Sequence, residues 1–405
     1  MVDAVVAARR QHLRVKMPGT GHSFPGIALT DGLLLRPGGL RGVVGVDLDA
    51  MTVTVLAGTP LTELNQALER HGLSLHNMGD IDQQTVAGAI STGTHGTGGT
   101  TASLSAQVTG LELVTGTGEL LHASAAENAD VLSVGRVGLG ALGVLVSVTM
   151  AVEPLFTLEA HEAPARWDEA VATFDERTAT HHHYEMYWFP HTDRLLTKAN
   201  DRTLDEPRPL SRPRAWFDDE FLANRVFGWA NALGNRRPRL IPRINALSGR
   251  ALGERRYSDV AHRVFTSPRR VVFKEMEYAV PREAGLDALR EVRSLIDRSD
   301  WRISFPVEVR VSPPDDVPLS TSEGRASTYL AFHTNQRTDH TAYFEAVERV
   351  LVRYDGRPHW GKLHTRTASD LEPAYPRWKE FTALRDRLDP DRLFTNDYLE
   401  RVLGP

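Results

Sequence analysis

The chain contains no cysteine among its 405 residues. Disulfides, thiolate nucleophiles, iron–sulfur clusters and Cys-ligated zinc are excluded together, so redox chemistry here needs a cofactor. A run of ~20 apolar residues able to span a bilayer is also missing. The most apolar stretch, Val137 to Val152, is shorter, is interrupted by glycines, Ser147 and Thr149, and reads as a buried strand. No basic, apolar and small-residue leader opens the chain, which makes a cytoplasmic location the default expectation and leaves contact at a membrane surface open. Charge of one sign is lacking too. The net charge is −5, with 47 basic and 52 acidic residues intermixed, and gives no sustained basic field for a phosphate backbone. Nucleic acid is therefore not an expected partner.

Several catalytic signatures are absent. There is no GxSxG elbow for a serine nucleophile, no glycine loop ending in Lys-Ser/Thr, and no HExxH pair, so hydrolase and kinase readings lose ground. The run His181-His182-His183, with Glu185 and His191 nearby, invites a metal reading. Strand alternation would divide the three imidazoles between two faces, so they read as surface or interface histidines and no metal is expected.

What is present is the composition of an ordinary folded protein, 41% apolar and 24% charged, long enough for two or three packing units of ~100–200 residues. Helical spacing runs from Val2 to His12, followed by a strand at Arg14–Met17 that enters a glycine turn. A strand at Thr52–Val55 leads to a helix with the stripe Leu61, Leu64 and Leu68, which stops near His71-Gly72. From Val86 to Gly99 small residues predominate, implying a backbone closely approached by a ligand rather than a side-chain core. Strands follow at Val108–Val114, Leu120–His122 and Val144–Val152, and Pro154 is a plausible first boundary. The stretch around Pro207–Pro213 reads as an exposed loop, and Arg282–Arg298 as an amphipathic covering helix. A strand at Thr328–His333, a helix at Tyr343–Val352 and a largely helical tail from Pro376 to Val402 complete the pattern.

Four places carry chemistry. Gly19-Thr20-Gly21-His22-Ser23 follows a strand but lacks the third glycine and downstream acid of a dinucleotide fingerprint. A second loop, Ser91-Thr92-Gly93-Thr94-His95-Gly96-Thr97-Gly98, offers backbone N–H groups and hydroxyls suited to a pyrophosphate, and two such loops suggest a large cofactor. The alternation of Val307-Glu308-Val309-Arg310-Val311 puts Glu308 and Arg310 on one face, and Arg357-Pro358-His359-Trp360-Gly361-Lys362 packs three ionisable side chains and an indole into a short segment. A lysine there can stabilise negative charge on a ring that accepts hydride.

These stretches, together with Gln84-Thr85-Val86-Ala87-Gly88-Ala89, Glu275-Met276-Glu277-Tyr278 and the ending Leu388-Asp389-Pro390 through Gly404-Pro405, run in the order found in the FAD-linked aldonolactone oxidoreductases, which the chain resembles. The ending looks most like that of bacterial L-gulono-1,4-lactone dehydrogenases. The resemblance implies an α+β fold with the vanillyl-alcohol-oxidase (PCMH) type of two-subdomain FAD-binding domain over residues 1–154. An α+β cap over the isoalloxazine at 155–353 and a C-terminal segment, 354–405, returning to the flavin are implied with it. It also implies FAD tethered covalently through His22, with Gly19, Thr20, Gly21, Ser23, Ser91, Thr92, Gly93, Thr94, His95, Gly96, Gly98, Val144 and His359 about the cofactor. Glu308, Arg310 and His333 are implied on the substrate side and Lys362, with His359, near the flavin ring, the first three and Lys362 being the candidate catalytic residues. Relatives carry a further strand and a Trp-Asn segment ahead of the position of Val2, so an incomplete N-terminal edge of the FAD-binding unit is expected. The implied reaction is hydride transfer from a sugar lactone to the flavin, with oxygen or a redox protein as acceptor. An alditol is the alternative substrate, and a catalytically idle FAD-domain protein is the reading from another class.

Overall fold

The computed structural model describes residues 1–405. Two antiparallel sheets organise the chain. The first has five strands in the order Val43–Asp47, Thr52–Leu56, Val144–Ala151, Val108–Val114, Leu120–Ser124. Its core takes Val53 and Val55 from one strand and Leu111, Leu113, Val148 and Met150 from its neighbours. The helix Leu61–Arg70 adds Leu61, Leu64 and Leu68, the apolar stripe its spacing announces. The C-terminal helices Trp378–Leu388 and Asp397–Leu403 contribute Trp378, Phe381, Leu384, Leu399 and Val402 to the same core, so the tail folds back on the first half of the chain.

The second sheet has eight strands in the order Arg255–Val260, Thr157–Arg166, Arg194–Thr203, His183–Trp188, Val307–Ser312, Ser327–Asn335, Phe273–Pro281, Arg357–Pro358. Alternation sorts its central residues into two faces. Tyr184, Met186, Met276, Tyr278, Val307, Val309, Leu330 and Phe332 point to a core covered by the helices Gly285–Asp297 and Thr341–Arg353. Gly285 opens the first of these helices where a Cβ would come within 2.4 Å of the Thr328 side chain, which brings the helix close onto the sheet. The opposite face carries Glu185, Tyr187, Glu275, Glu277, Glu308, Arg310 and His333, a density of charge that no apolar cover could accept.

Three local expectations need correction. Residues 86–91 form a short helix whose Val86, Ala89 and Ile90 enter the first core, so the small-residue stretch is partly core and the open loop begins only after Ser91. The apolar run from Val137 becomes strand only at Val144, because Leu139, Gly140 and Gly143 adopt positive φ and turn the chain. His183 is not a surface residue: it is 1% exposed and packs edge-on against Phe265 at 4.8 Å.

Candidate active site

A narrow cleft of about 110 Å³ runs between the first glycine loop and the five-stranded sheet. It is lined by Gly19, Ser23, Thr85, Ser91, Thr92 and Val144, which places five expected cofactor residues on one wall system. A Cβ at Gly19 would lie 2.7 Å from Thr85 Oγ1, and Gly21 has φ +80°, so glycine is needed at both positions for different reasons. Thr20 Oγ1 donates to the Gln83 carbonyl at 2.8 Å and ties the loop down from outside. His22, at the tip, is accessible to solvent. Partial burial and then the positive charge of Lys362 lower its pKa, which favours the neutral imidazole. Lys16, which the sequence reading passed over, is buried in this cleft with its Nζ 3.3 Å from the Gly140 carbonyl. Burial, then Arg385, brings its pKa down to about 7.

The second glycine loop does something else as well. Thr97 Oγ1 donates to the Tyr184 carbonyl at 2.7 Å and accepts from Val311 N–H at 3.2 Å, while Gly98 N–H donates to the Val311 carbonyl at 3.0 Å. The loop is thereby stitched to the strand that holds Glu308 and Arg310. Gly93 has φ +74°, and Thr94 Oγ1 is held by the Gln84 amide at 3.2 Å. Gly96 is required by the Met78 carbonyl, 2.1 Å from any Cβ there. The His95 ring stacks on Tyr329 at 3.6 Å and its Nε2 lies 3.2 Å from Glu277. That side chain is committed to the eight-stranded sheet, leaving its backbone for a ligand.

On the charged face, Glu308 pairs with Arg310 and accepts from the Tyr187 hydroxyl at 3.3 Å. Arg310 Nε also donates to Glu185 at 2.7 Å, and its other nitrogen stands 3.8 Å from Asp80, a loop residue that Arg269 grips at 2.7 Å. Burial raises the Glu308 pKa to about 7; Asp80 and Glu185 add to the shift while Arg310 opposes it. Lys362 donates to Glu275, and His333 Nε2 is 3.5 Å from the same carboxylate. Burial works against charge on Glu275, but Lys362 and His333 outweigh it and bring its pKa down to about 2. The segment bearing Lys362 is set by backbone bonds, His359 N–H to Glu277 and Leu363 N–H to Glu275, which continue the sheet past Pro358. Phe24 N–H donates to the Gly361 carbonyl at 2.9 Å, so the first glycine loop and the lysine segment meet.

Glu308, Arg310, His333 and Lys362 thus converge, and His22 feels the charge of Lys362. His359 is buried behind them, its Nδ1 accepting from Gly361 N–H, and burial lowers its pKa to about 4. Glu277, His95 and His359 bring potential metal ligands within 4.8 Å of one another, but both imidazoles already use their Nδ1 on backbone groups. Sequence reasoning assigned no role to Glu185, Tyr187, Asp80, Arg269 or Glu275. Glu185 and Glu275 stand in the same period-two alternation that singled out Glu308, and that signal would have found them.

The cleft wall carries Gly19, Gly88, Gly138, Gly140 and Gly143, the small residues that let a ligand approach the backbone, and residues 1–124 match the FAD binding domain family. Residues 148–402 match the D-arabinono-1,4-lactone oxidase family. The chain is 42% identical over its whole length to the L-gulono-1,4-lactone dehydrogenase of Mycobacterium tuberculosis, covering 94% of that protein. It is 33% identical to the L-gulonolactone oxidase of Bos taurus over 99% of this chain and 92% of that one. Among solved structures, cholesterol oxidase from Brevibacterium sterolicum superposes with a TM-score of 0.83 at 18% identity, over 100% of this chain and 92% of that one, a likeness of fold. The chain belongs to the D-arabinono-1,4-lactone oxidase family of FAD-dependent oxidoreductases.

Proposed function

We propose that the protein oxidises a sugar-derived lactone of the L-gulono-1,4-lactone or D-arabinono-1,4-lactone type at a carbinol carbon, with residues 1–154 holding FAD, 155–353 forming the cap and 354–405 returning to the flavin. The observation that carries this reading is the buried face on which Glu308, Arg310, His333 and Lys362 converge beside the His22 loop. FAD, held along Gly19–Ser23, Ser91–Gly98 and Val144, supplies the hydride acceptor. Glu308, titrating at about 7, takes the proton from the substrate hydroxyl. Arg310, fixed by Glu185 and Glu308, orients substrate oxygens with its remaining N–H groups. Lys362 stays an ammonium because Glu275 and Glu277 outweigh its desolvation, and its charge is placed to offset negative charge developing on the acceptor. The neutral His22 imidazole is the form that can bond the flavin covalently.

The test is anaerobic mixing of the purified flavoprotein with a panel of aldonolactones and alditols, following bleaching of the visible flavin band. Bleaching by a lactone is expected. Bleaching by alditols alone, or protein that binds no flavin, overturns the reading. Reoxidation of the reduced enzyme by oxygen against cytochrome c then assigns the acceptor.

A further inference from the structure

The segment Arg212–Ala251 folds as a series of helices, Arg212–Ala215, Trp216–Val226, Phe227–Arg236 and Ile241–Ala251, laid over the edge of the eight-stranded sheet. Its inward side mixes asparagines with Phe227 and Ile241, and its outward side sets large apolar side chains among arginines. Asparagines point inward. Asn224 donates to the Pro268 carbonyl at 2.9 Å and accepts from Arg270 N–H at 2.8 Å. Asn231 accepts from the Ser304 hydroxyl at 2.6 Å, and Asn245 donates to the Pro190 and Ile303 carbonyls at 2.9 and 2.8 Å. Outward, at spacings of three to four residues, stand Leu222, Val226, Trp229 and Leu233, joined by Trp216 and Leu247. Trp229 is 65% exposed and Leu247 70%. A protein gains nothing by holding indoles in water, so a contiguous apolar patch of this kind marks a contact surface.

Charge selects what the surface contacts. The segment holds eight arginines, all exposed, against three acids, in a chain whose net charge is −5. The acids are already neutralised: Asp218 pairs with Arg214, Asp219 with Arg255 and Glu220 with Arg270. Among the described residues no ion pair engages Arg225, Arg236, Arg237, Arg239 or Arg243. A second copy docked through the same patch would set these arginines against themselves. Indoles and leucines ringed by unpaired arginines match the layered chemistry of an anionic bilayer, with phosphates outside and acyl chains beneath. No helix among the described residues is long and apolar enough to cross a membrane, so the contact is a surface one.

We infer that the Arg212–Ala251 helices dock the protein on an anionic phospholipid surface, with Trp216, Trp229 and Leu233 at the headgroup boundary and the arginines on lipid phosphates. A chain of aromatic contacts runs from the inward side of this segment to the charged site. Phe227 packs on Phe305 at 5.3 Å, Phe305 on Phe273 at 5.8 Å, and Phe273 on His333 at 5.1 Å.

Sedimentation of the holoenzyme with vesicles tests this, using phosphatidylcholine alone and phosphatidylcholine mixed with phosphatidylglycerol. Binding to the anionic vesicles only, weakened by salt, is expected. The variants Trp229→Ser/Leu233→Ser and Arg236→Glu/Arg239→Glu should each bind at least tenfold more weakly, with flavin content and turnover of soluble substrate unchanged. Failure to sediment with anionic vesicles at low salt, or variants that sediment like the parent, overturns the inference. A dimer in sedimentation equilibrium that the Trp229→Ser/Leu233→Ser variant dissociates would assign the patch to a second copy and overturn it equally.

Discussion

Glu275 and His333 face each other across paired strands, with His333 Nε2 3.5 Å from one carboxylate oxygen of Glu275 while the other oxygen accepts from Lys362. One carboxylate therefore sets the charge of two candidate catalytic groups. The Nδ1 of His333 faces the Pro306 carbonyl at 3.2 Å, so both ring nitrogens look at acceptors and the imidazolium satisfies both. Burial opposes that charge, but Glu275 outweighs it and the His333 pKa is raised. Glu275→Gln should lower it again, moving the basic limb of the pH–rate profile to lower pH, each unit representing about 1.4 kcal/mol. An unmoved limb, measured on kcat/KM with bound flavin unchanged, would count against this control.

Glu308 predicts the opposite limb. Burial raises its pKa to about 7, with Asp80 and Glu185 adding to the rise and Arg310 opposing it. If the carboxylate accepts the substrate proton, kcat/KM rises with pH through about 7 ahead of the basic limb. Glu308→Gln should abolish that limb and lower kcat/KM by about 10²–10⁴-fold. The linkage sign follows from the same shift. A carboxyl whose folded-state pKa lies above its unfolded value contributes stability that is full below the unfolded value and lost as pH rises through about 7. Thermal stability of the parent should therefore fall more steeply than that of Glu308→Gln between pH 5 and 8.

The strand chemistry of this site was legible because period-two alternation needs only the sequence. Val307, Val309 and Val311 announce the face that Glu308 and Arg310 do not share. Asp80 and Arg269 were not legible, since both lie outside regular elements and meet only through the packing of the two sheets. The Arg212–Ala251 helices were missed for a different reason. Their inward residues include Asn224, Asn231 and Asn245 while Trp229 and Leu247 face out, so the inward apolar stripe is interrupted and the outward face reads as apolar too. His183 was placed on the surface because imidazoles usually are, whereas here Phe265 and the second glycine loop cover it.

The tether can be separated from binding. His22 sits next to Gly21, whose φ of +80° presents the imidazole at the loop tip, and partial burial with Lys362 holds it toward the neutral form. On a denaturing gel the parent should keep flavin fluorescence on the polypeptide band. His22→Ala should lose it there while still copurifying with yellow, non-covalent FAD. Fluorescence that leaves the parent band on denaturation would show that FAD is bound without a covalent link.

That background makes the glycine cradle measurable, because retention of FAD then reports binding alone. Gly19 lines the cleft, and a Cβ there would lie 2.7 Å from Thr85 Oγ1, the atom that accepts from Gly88 N–H at 3.2 Å and caps the helix Val86–Ser91. Gly19→Ala forces Thr85 to move and sacrifices a cap worth about 1 kcal/mol, or displaces the loop from the cleft by a comparable strain. In the His22→Ala protein it should weaken FAD binding about fivefold by titration. Gly45→Ala, where nothing lies within 4 Å of the added carbon and the backbone stays extended in a strand, should leave the affinity as it was. Equal affinities in the two alanine variants would mean that the closeness of Gly19 to Thr85 serves the turn and not the cofactor.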